Sequence, residues 1–333
     1  MHLSRFAKVD LCHQPTPLEP MPALSKRLGG PSLFIKRDDC TGLATGGNKT
    51  RKLEYLMADV LGQGADTVIT QGAVQSNHAR QTAAAAAKLG LGCEILLERR
   101  VAGRDPEYER SGNVFLDRLL GAKVRFRPGG DDMDAAMEEV ADGLRATGAK
   151  PYLIPGGGSS RIGALGYVSA ALELIYQANQ RGLKVDHIVH ATGSGGTQSG
   201  LLAGLAGLNA GVPVHGISVR RPKGRQEDGV HELAQETAAL VGVKGGVPRQ
   251  AVMVDDNYIG EGYGLPTPET VEAIELLAAT EGVLLDPVYT GKGMAGLIGL
   301  VGQGVFKDTD NVVFLHTGGA ASLFGYPSSF SGR

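Results

Sequence analysis

Residues 66–97 read DTVITQGAVQSNHARQTAAAAAKLGLGCEILL. DTVITQ (66–71) is rich in β-branched residues and predicts a strand, and NHARQTAAAAAKL (77–89) is alanine-rich and predicts a helix. GCEILL (92–97) predicts the next strand. A strand, a helix and a second strand in about thirty residues is a βαβ unit, whose two strands run parallel. Working outward, AKVRF (122–126) and Pro151–Ile154 predict further strands, and Met133, Met137, Val140 and Leu144 recur at helical spacing between them. VDHIVHA (185–191), PVHGISV (213–219) and NVVFL (311–315) predict strands, and 197–208 and 269–280 predict helices. Alternation of this kind means an α/β protein with open, twisted parallel sheets and helices on both faces. The charged segment RRPKGRQEDGV (220–230) reads as a loop.

Composition narrows the function. At 333 residues the chain is long enough for two medium domains. A net charge of −2 gives no general grip on nucleic acid or an anionic membrane, so an anionic ligand needs a local cluster. Trp is absent, which argues against repeated base-stacking platforms. Cys12, Cys40 and Cys93 are widely spaced and form no metal-binding pattern, so no metal is expected. Cys93 lies in a predicted strand and reads as a buried, inert thiol. This cysteine usage fits a reducing cytoplasm. Residues 1–6 carry no apolar signal core, and no apolar run of about 18 residues predicts a membrane span.

Five polar stretches interrupt the βα pattern. Gly46-Gly47-Asn48-Lys49-Thr50-Arg51-Lys52 sets a lysine at the end of a glycine turn and the start of a helix. Asn48 and Leu43 stand where a nucleotide-triphosphate loop requires glycine. The positive end of the helix dipole is a poor place for a structural cation, but it helps to keep an amine neutral and nucleophilic. Gly193-Ser194-Gly195-Gly196-Thr197 follows a strand and opens a helix, so its backbone N–H groups suit a phosphate. Gln198 breaks the dinucleotide fingerprint there, which favours a mononucleotide-sized phosphate. Gln75-Ser76-Asn77-His78 sits between strand and helix; a helix cap accounts for one residue, and a ligand-facing loop for the rest. Asp286-Pro287-Val288-Tyr289-Thr290-Gly291-Lys292 and the turn around Tyr263 fit either an ordinary turn or a site. His316-Thr317-Gly318-Gly319-Ala320 offers a second anion-binding turn after a strand.

Taken together, these stretches resemble the fold-type II pyridoxal-phosphate (PLP) enzymes, the tryptophan-synthase-β-like group, and within it the D-cysteine desulfhydrase and 1-aminocyclopropane-1-carboxylate (ACC) deaminase family. The likeness begins at PTPLE (15–19) and IKRDD (35–39) and passes through GGNKTRKLE, QSNHARQTAAAAAKLG and GALGY (163–167). It ends with LLDPVYTGK and HTGGA. DCTGLAT (39–45) is most similar to the L-cysteate sulpho-lyases of that family.

The resemblance implies a small domain over 50–160, a large domain from 1–49 plus 161–333, a cleft between them, and a homodimer. It implies Lys49 as the covalent anchor of PLP, Asn77 on the ring hydroxyl and Gly193, Ser194, Gly195, Gly196 and Thr197 on the phosphate. Tyr289 would lie by the ring, Thr290 by the pyridine nitrogen, and Ser76 and Tyr263 by the substrate. His78, Thr317 and Gly318 are further substrate candidates, as are Arg161, Arg220, Arg221, Lys223 and Arg225 for an anionic substituent. ACC deaminases carry glutamate where Thr290 stands, which argues against ACC deamination. The implied reaction is α,β-elimination by a carbon–sulphur lyase, with L-cysteate giving pyruvate, sulphite and ammonia. D-Cysteine desulphhydration, giving sulphide instead, and a PLP-binding protein without turnover stay open.

Overall fold

The computed structural model describes residues 1–101 and 106–330. The chain opens with strand β1 (Leu18–Pro20), helix α1 (Pro22–Leu28), β2 (Ser32–Arg37) and α2 (Lys49–Gly62). It continues through β3 (Thr67–Ala73), α3 (Asn77–Leu89), β4 (Gly92–Glu98), α4 (Gly112–Leu119), β5 (Lys123–Arg127), α5 (Met133–Arg145) and β6 (Pro151–Ile154). Then follow α6 (Arg161–Gln180), β7 (His187–Thr192), α7 (Gly196–Gly207), β8 (Val214–Ser218), α8 (Lys223–Val241) and β9 (Val252–Asp255). Helices α9 (Pro268–Glu281) and α10 (Thr290–Gly302) precede β10 (Asn311–His316).

The strands form two sheets. Four are parallel in the order β5-β4-β3-β6, and six follow the order β1-β2-β10-β7-β8-β9, with β1 alone antiparallel to its neighbour. Side chains alternate across each sheet, and both faces are covered, as parallel sheets require. In the smaller sheet Val68, Ile95 and Leu97 pack with Ala79, Ala83 and Ala86 of α3, whereas Ile69 and Leu96 pack with Met133, Met137 and Val140 of α5. In the larger sheet Val313 and Leu315 share a core with α6 and α7, whereas Val312 and Phe314 share one with α9 and α10. Cys93 is buried on β4, and burial pushes its thiol up to about 12. None of the described helices is long and apolar enough to cross a membrane.

The expected loop at 220–230 is a correction. Helix α8 starts at Lys223, and its buried residues Gln226, Val230, Ala234, Ala238 and Val241 recur every turn. Charged residues fill the solvent side of the first two turns, so the apolar stripe of this helix becomes visible only beyond Val230.

Candidate active site

A cleft of about 600 Å³ opens where the carboxyl ends of β3 and β4 face those of β7, β8 and β10. Ligands bind at such strand ends because the loops that follow them project into one shared space. Three of the polar stretches follow these strands, after β3, β7 and β10, and the stretches at 46–52 and 286–292 line the same cleft from the starts of α2 and α10.

Lys49 is the first residue of α2 and remains partly open to the cleft. Its Nζ donates to Gly157 O at 3.2 Å. Lys52, one turn further on, is fully buried and donates to the same carbonyl at 3.1 Å and to Ser159 Oγ at 3.3 Å. Neither amine contacts a carboxylate among the described residues. Burial brings the Lys49 amine down to about 8. Lys52 is held well below its ordinary value by burial and then by the Lys49 charge. Two buried amines sharing one neutral oxygen are an incomplete arrangement, because each ammonium lacks a counter-charge.

The glycine loop supplies the missing half. Gly193, Ser194, Gly195 and Thr197 line the cleft at the amino end of α7. Gly195 has φ +89°, open to glycine but strained for other residues. A Cβ on Gly196 would lie 2.8 Å from Ser159 Oγ and 2.9 Å from Lys52 Nζ, so only glycine lets the loop approach that amine. Gly196 itself lies just behind the cleft wall, donating its N–H to Ser159 Oγ at 3.2 Å. Backbone N–H groups, a helix start, two hydroxyls and a buried ammonium fit a phosphate group. Lys52 and Ser159 were missed from the candidate site residues. Lys52 lies within the quoted lysine motif, but its placement against Ser159 joins residues 107 positions apart.

Asn48 ties three of the loops together. Its Nδ2 donates to Thr197 Oγ1 at 3.0 Å, its N–H to Thr317 O at 3.0 Å, and its Oδ1 faces Asn77 Nδ2 at 3.4 Å. Thr317 and Gly318 line the cleft, and a Cβ on Gly318 would sit 2.7 Å from Gly47 Cα. Ser76 caps α3 by accepting from Ala79 N at 3.1 Å, and it lines the cleft beside Asn77. Gln75 turns away from the cleft: its side chain is spent on Tyr108 O, Ser111 O and Asn113 N.

His78 also lines the cleft. Thr70 Oγ1 donates its one hydrogen to Ile154 O at 2.9 Å, so it accepts at 2.8 Å from His78 Nε2. That places the hydrogen on Nε2 and leaves Nδ1 bare. Burial, then the charges of Lys49 and Lys52, keep the ring neutral by pushing its pKa well below the ordinary histidine value.

On the other side of the cleft the Tyr263 and Tyr289 hydroxyls meet at 3.0 Å, with the rings edge to face at 5.8 Å. Burial raises both phenols, so both keep their hydrogens at neutral pH. Arg100 lies over the Tyr263 ring, 5.6 Å from its centroid, and pairs with Glu98. Arg220 and Arg221 line the same cleft from the end of β8. Arg100 was not among the arginines expected here.

Three expected groups lie elsewhere. Arg161 is the exposed first residue of α6, where the side chain leaves the core, and it is not part of the cleft. Lys223 and Arg225 are exposed on α8 and do not line it either. Thr290 is fully buried behind the cleft wall. Its hydroxyl donates to Asp286 Oδ2 at 2.7 Å and accepts from Asp286 N at 2.7 Å. With its hydrogen committed, it has none to give a pyridine nitrogen. Asp286 and Tyr289 of that turn line the cleft, and the Asp286 carboxylate accepts from the N–H groups of Val288, Tyr289 and Thr290.

Comparison with known proteins gives the family. Residues 9–318 match the family of pyridoxal-phosphate dependent enzymes. The D-cysteine desulfhydrase of Salmonella typhi is 46% identical over 325 residues, covering 98% of each chain. A crystal structure of an ACC deaminase homologue superposes with a TM-score of 0.89 at 41% identity, covering 99% of this chain and 98% of that one. A hydrogen sulfide-producing enzyme from Fusobacterium nucleatum shares the fold at a TM-score of 0.65 and 16% identity, over 93% of this chain and 97% of that one. With a half-buried lysine beside a glycine loop that fits a phosphate and these relatives along its whole length, the chain belongs to the pyridoxal-phosphate dependent enzymes, in the fold-type II family of the D-cysteine desulfhydrases and ACC deaminases.

Proposed function

We propose that this protein is a carbon–sulphur lyase that removes a sulphur leaving group from the β carbon of a small amino acid. The observation that carries this reading is the Lys49–Lys52 pair, two buried amines without a carboxylate, facing a glycine loop across from a hydrogen-bonded tyrosine pair. Lys49 is the anchor for PLP, and Lys52, Ser159 and residues 193–197 hold its phosphate. Bound PLP supplies the electron sink for the α-carbon carbanion. An amine brought to about 8 is matched to taking up a proton near neutral pH, so Lys49 accepts the α proton. The resulting ammonium donates a hydrogen bond to Gly157 O, with no carboxylate beside it among the described residues. Tyr263 and Tyr289 keep their hydrogens and orient the β substituent, one hydroxyl donating to the other and leaving one hydrogen for the leaving group. Asn77 donates to the cofactor's ring oxygen, and Ser76, Thr317 and Gly318 border the substrate carboxylate.

The relatives support D-cysteine as the substrate, giving pyruvate, sulphide and ammonia. A second reading, L-cysteate giving sulphite, is favoured by one observation: Arg100 and Arg220 line the cleft beside the tyrosines, and Arg221 lines the same cleft. A sulphonate is a permanent anion and needs such a partner when it leaves water. Keto-acid formation decides between them, pyruvate from D-cysteine, L-cysteine, L-cysteate and D-serine and 2-oxobutyrate from ACC. No keto acid from any β-sulphur substrate would sink the carbon–sulphur lyase reading, and none from any of the five would reduce the protein to a PLP binder. If L-cysteate is the substrate, alanine at Arg100, Arg220 or Arg221 should raise its KM by about tenfold to a hundredfold, the worth of one charge-assisted contact. The KM for β-chloroalanine should stay put.

Lys52→Met tests the phosphate site without reference to substrate. It removes one charged contact of roughly 1.5–3 kcal/mol, so cofactor affinity should fall about tenfold to a hundredfold. Titrating cofactor-free protein with PLP and following the visible band reads this directly. Unchanged affinity would place the phosphate away from Lys52.

A further inference from the structure

The Asn77 side chain can be set in two ways by a half-turn of its amide, and its neighbours choose one. Its Oδ1 faces two donors, Arg80 Nη2 in a short contact and Gln81 Nε2 at 2.7 Å. Its Nδ2 faces only acceptors, Asn48 Oδ1 and Thr317 O, each at 3.4 Å. Turning the amide over would set NH₂ against a guanidinium and a second NH₂, losing two hydrogen bonds and opposing donors to donors. At 3.4 Å the two acceptor contacts are long, so the NH₂ group keeps capacity for a better acceptor in the cleft.

Arg80 is an unusual partner. It is 1% exposed, and its other contacts are neutral: Ala44 O and Gly46 O at 2.7 Å each, and Thr45 Oγ1. Its Nε has no partner among the described residues. Asp117, the carboxyl whose charge acts on it, makes no hydrogen bond with either oxygen, and burial pushes it up to about 8. A buried cation among neutral acceptors costs stability that a neutral side chain would not. The backbone it grips is itself strained: Ala44 and Thr45 have φ of +43° and +70°, in the loop that leads into Lys49. Cost and strain concentrate on one residue next to the cofactor site, where rigidity has a use.

We propose that Arg80 and Gln81 are positioning residues that lock the Asn77 amide with its NH₂ toward the ring oxygen of PLP, making Asn77 a one-way donor. The inference rests on the reading of Asn77 as the partner of that oxygen. A fixed donor, backed by the Arg80 charge, makes the oxygen less basic. The proton shared between that oxygen and the lysine nitrogen is then held less tightly. The pH at which the visible cofactor band converts between its forms is therefore kept low.

The test is a spectrophotometric pH titration of the holoenzyme, with thermal melting alongside. Arg80→Lys keeps the charge but cannot span Asn77 and the 44–46 loop together, and Gln81→Leu removes the second donor while sparing Arg80. The other ionisable groups at the site are unchanged in both: Lys49, Lys52, His78, Asp286, Tyr263 and Tyr289 around the lysine and tyrosines, and Glu98, Arg100, Asp131, Asp132, Asp134, Arg220 and Arg221 along the rest of the cleft. Each variant should raise the conversion pH by about one unit, a tenfold change in proton affinity. Asn77→Ala should raise it at least as far, and adding Gln81→Leu to Asn77→Ala should move it no further. If Asn77→Ala shifts the titration and Gln81→Leu does not, the locking idea fails while Asn77 stays on the ring oxygen. A titration that Asn77→Ala leaves in place refutes the assignment of Asn77 and the inference with it. Lower melting temperatures with an unmoved titration would make Arg80 and Gln81 merely structural. Should Arg80→Lys fail to fold or to keep PLP, the Gln81 and Asn77 variants carry the test alone.

Discussion

Lys49→Ala is expected to abolish the visible absorbance of bound PLP and to lower elimination by at least about 10³–10⁴-fold. The variant loses the covalent anchor and the proton acceptor together, and a positioned acid–base group alone is worth about 10²–10⁴. Two other buried lysines could betray a wrong assignment. Lys52 shares Gly157 O with Lys49, and Lys292, also brought to about 8 by burial, donates to Ile259 O and Gly262 O. Borohydride reduction followed by peptide mapping identifies the modified lysine. Label found on Lys52 or Lys292 in the unaltered protein would overturn the role given to Lys49, as would visible absorbance that survives in Lys49→Ala.

The largest expected effect on stability comes from Arg51, two residues further along α2. Arg51 is fully buried, with Nε and Nη2 donating to Asp38 at 2.9 Å each and Nη1 and Nη2 donating to Glu173 at 3.0 and 2.8 Å. Tyr167 Oη also donates to Asp38, at 2.5 Å, and Lys36 pairs with Glu173. The network joins β2, α2 and α6 directly beneath the lysine pair. Arg51→Met would leave two carboxylates without their main partner, at a cost of about 3–5 kcal/mol. For a chain of this size the melting temperature should fall by roughly 4–7 °C. The loss should depend on pH in a definite direction. Burial alone would raise the Asp38 and Glu173 carboxyls, and Arg51 overrides it, holding both below their ordinary values of 3.8 and 4.5. A carboxyl with a lowered folded pKa contributes fully above its unfolded value and loses that contribution as the pH falls through the folded one. The gap between the two proteins should therefore be full at pH 7 and narrow as the pH drops below about 4. Calorimetry at both ends reads it. A gap below about 1 kcal/mol at pH 7, or one that widens in acid, would show that the network does not stabilise through these ions.

The βα alternation, the glycine turns and the lysine at a helix start were legible from local pattern, because each depends on residues within a few positions of one another. DTVITQ, the alanine-rich helix and GCEILL appear within a residue or two of where periodicity set them. Helix α8 was misread because its charged first turns conceal its apolar stripe. Arg161 and Arg221 were both candidates for an anionic substituent, and both are exposed; only their place in the fold separates them, since one starts α6 away from the cleft and the other lines it. Thr290 follows Asp286 by four residues, but only the hydrogen-bond geometry shows its hydrogen spent on that carboxylate.

By itself, then, the order of residues determined the parallel α/β architecture and singled out the lysine at a helix start and the glycine loop as candidates, since short-range spacing and backbone freedom dictate these. The tertiary structure alone decided which groups share an environment. It set Lys52 against Ser159, Arg100 over Tyr263 and Asn48 against Thr197, and it left two amines on one carbonyl. The physical reason is that charge, proton affinity and hydrogen-bond direction are set by neighbours in space. Here those neighbours stand more than a hundred residues apart and meet only when the loops of two sheets close on one cleft.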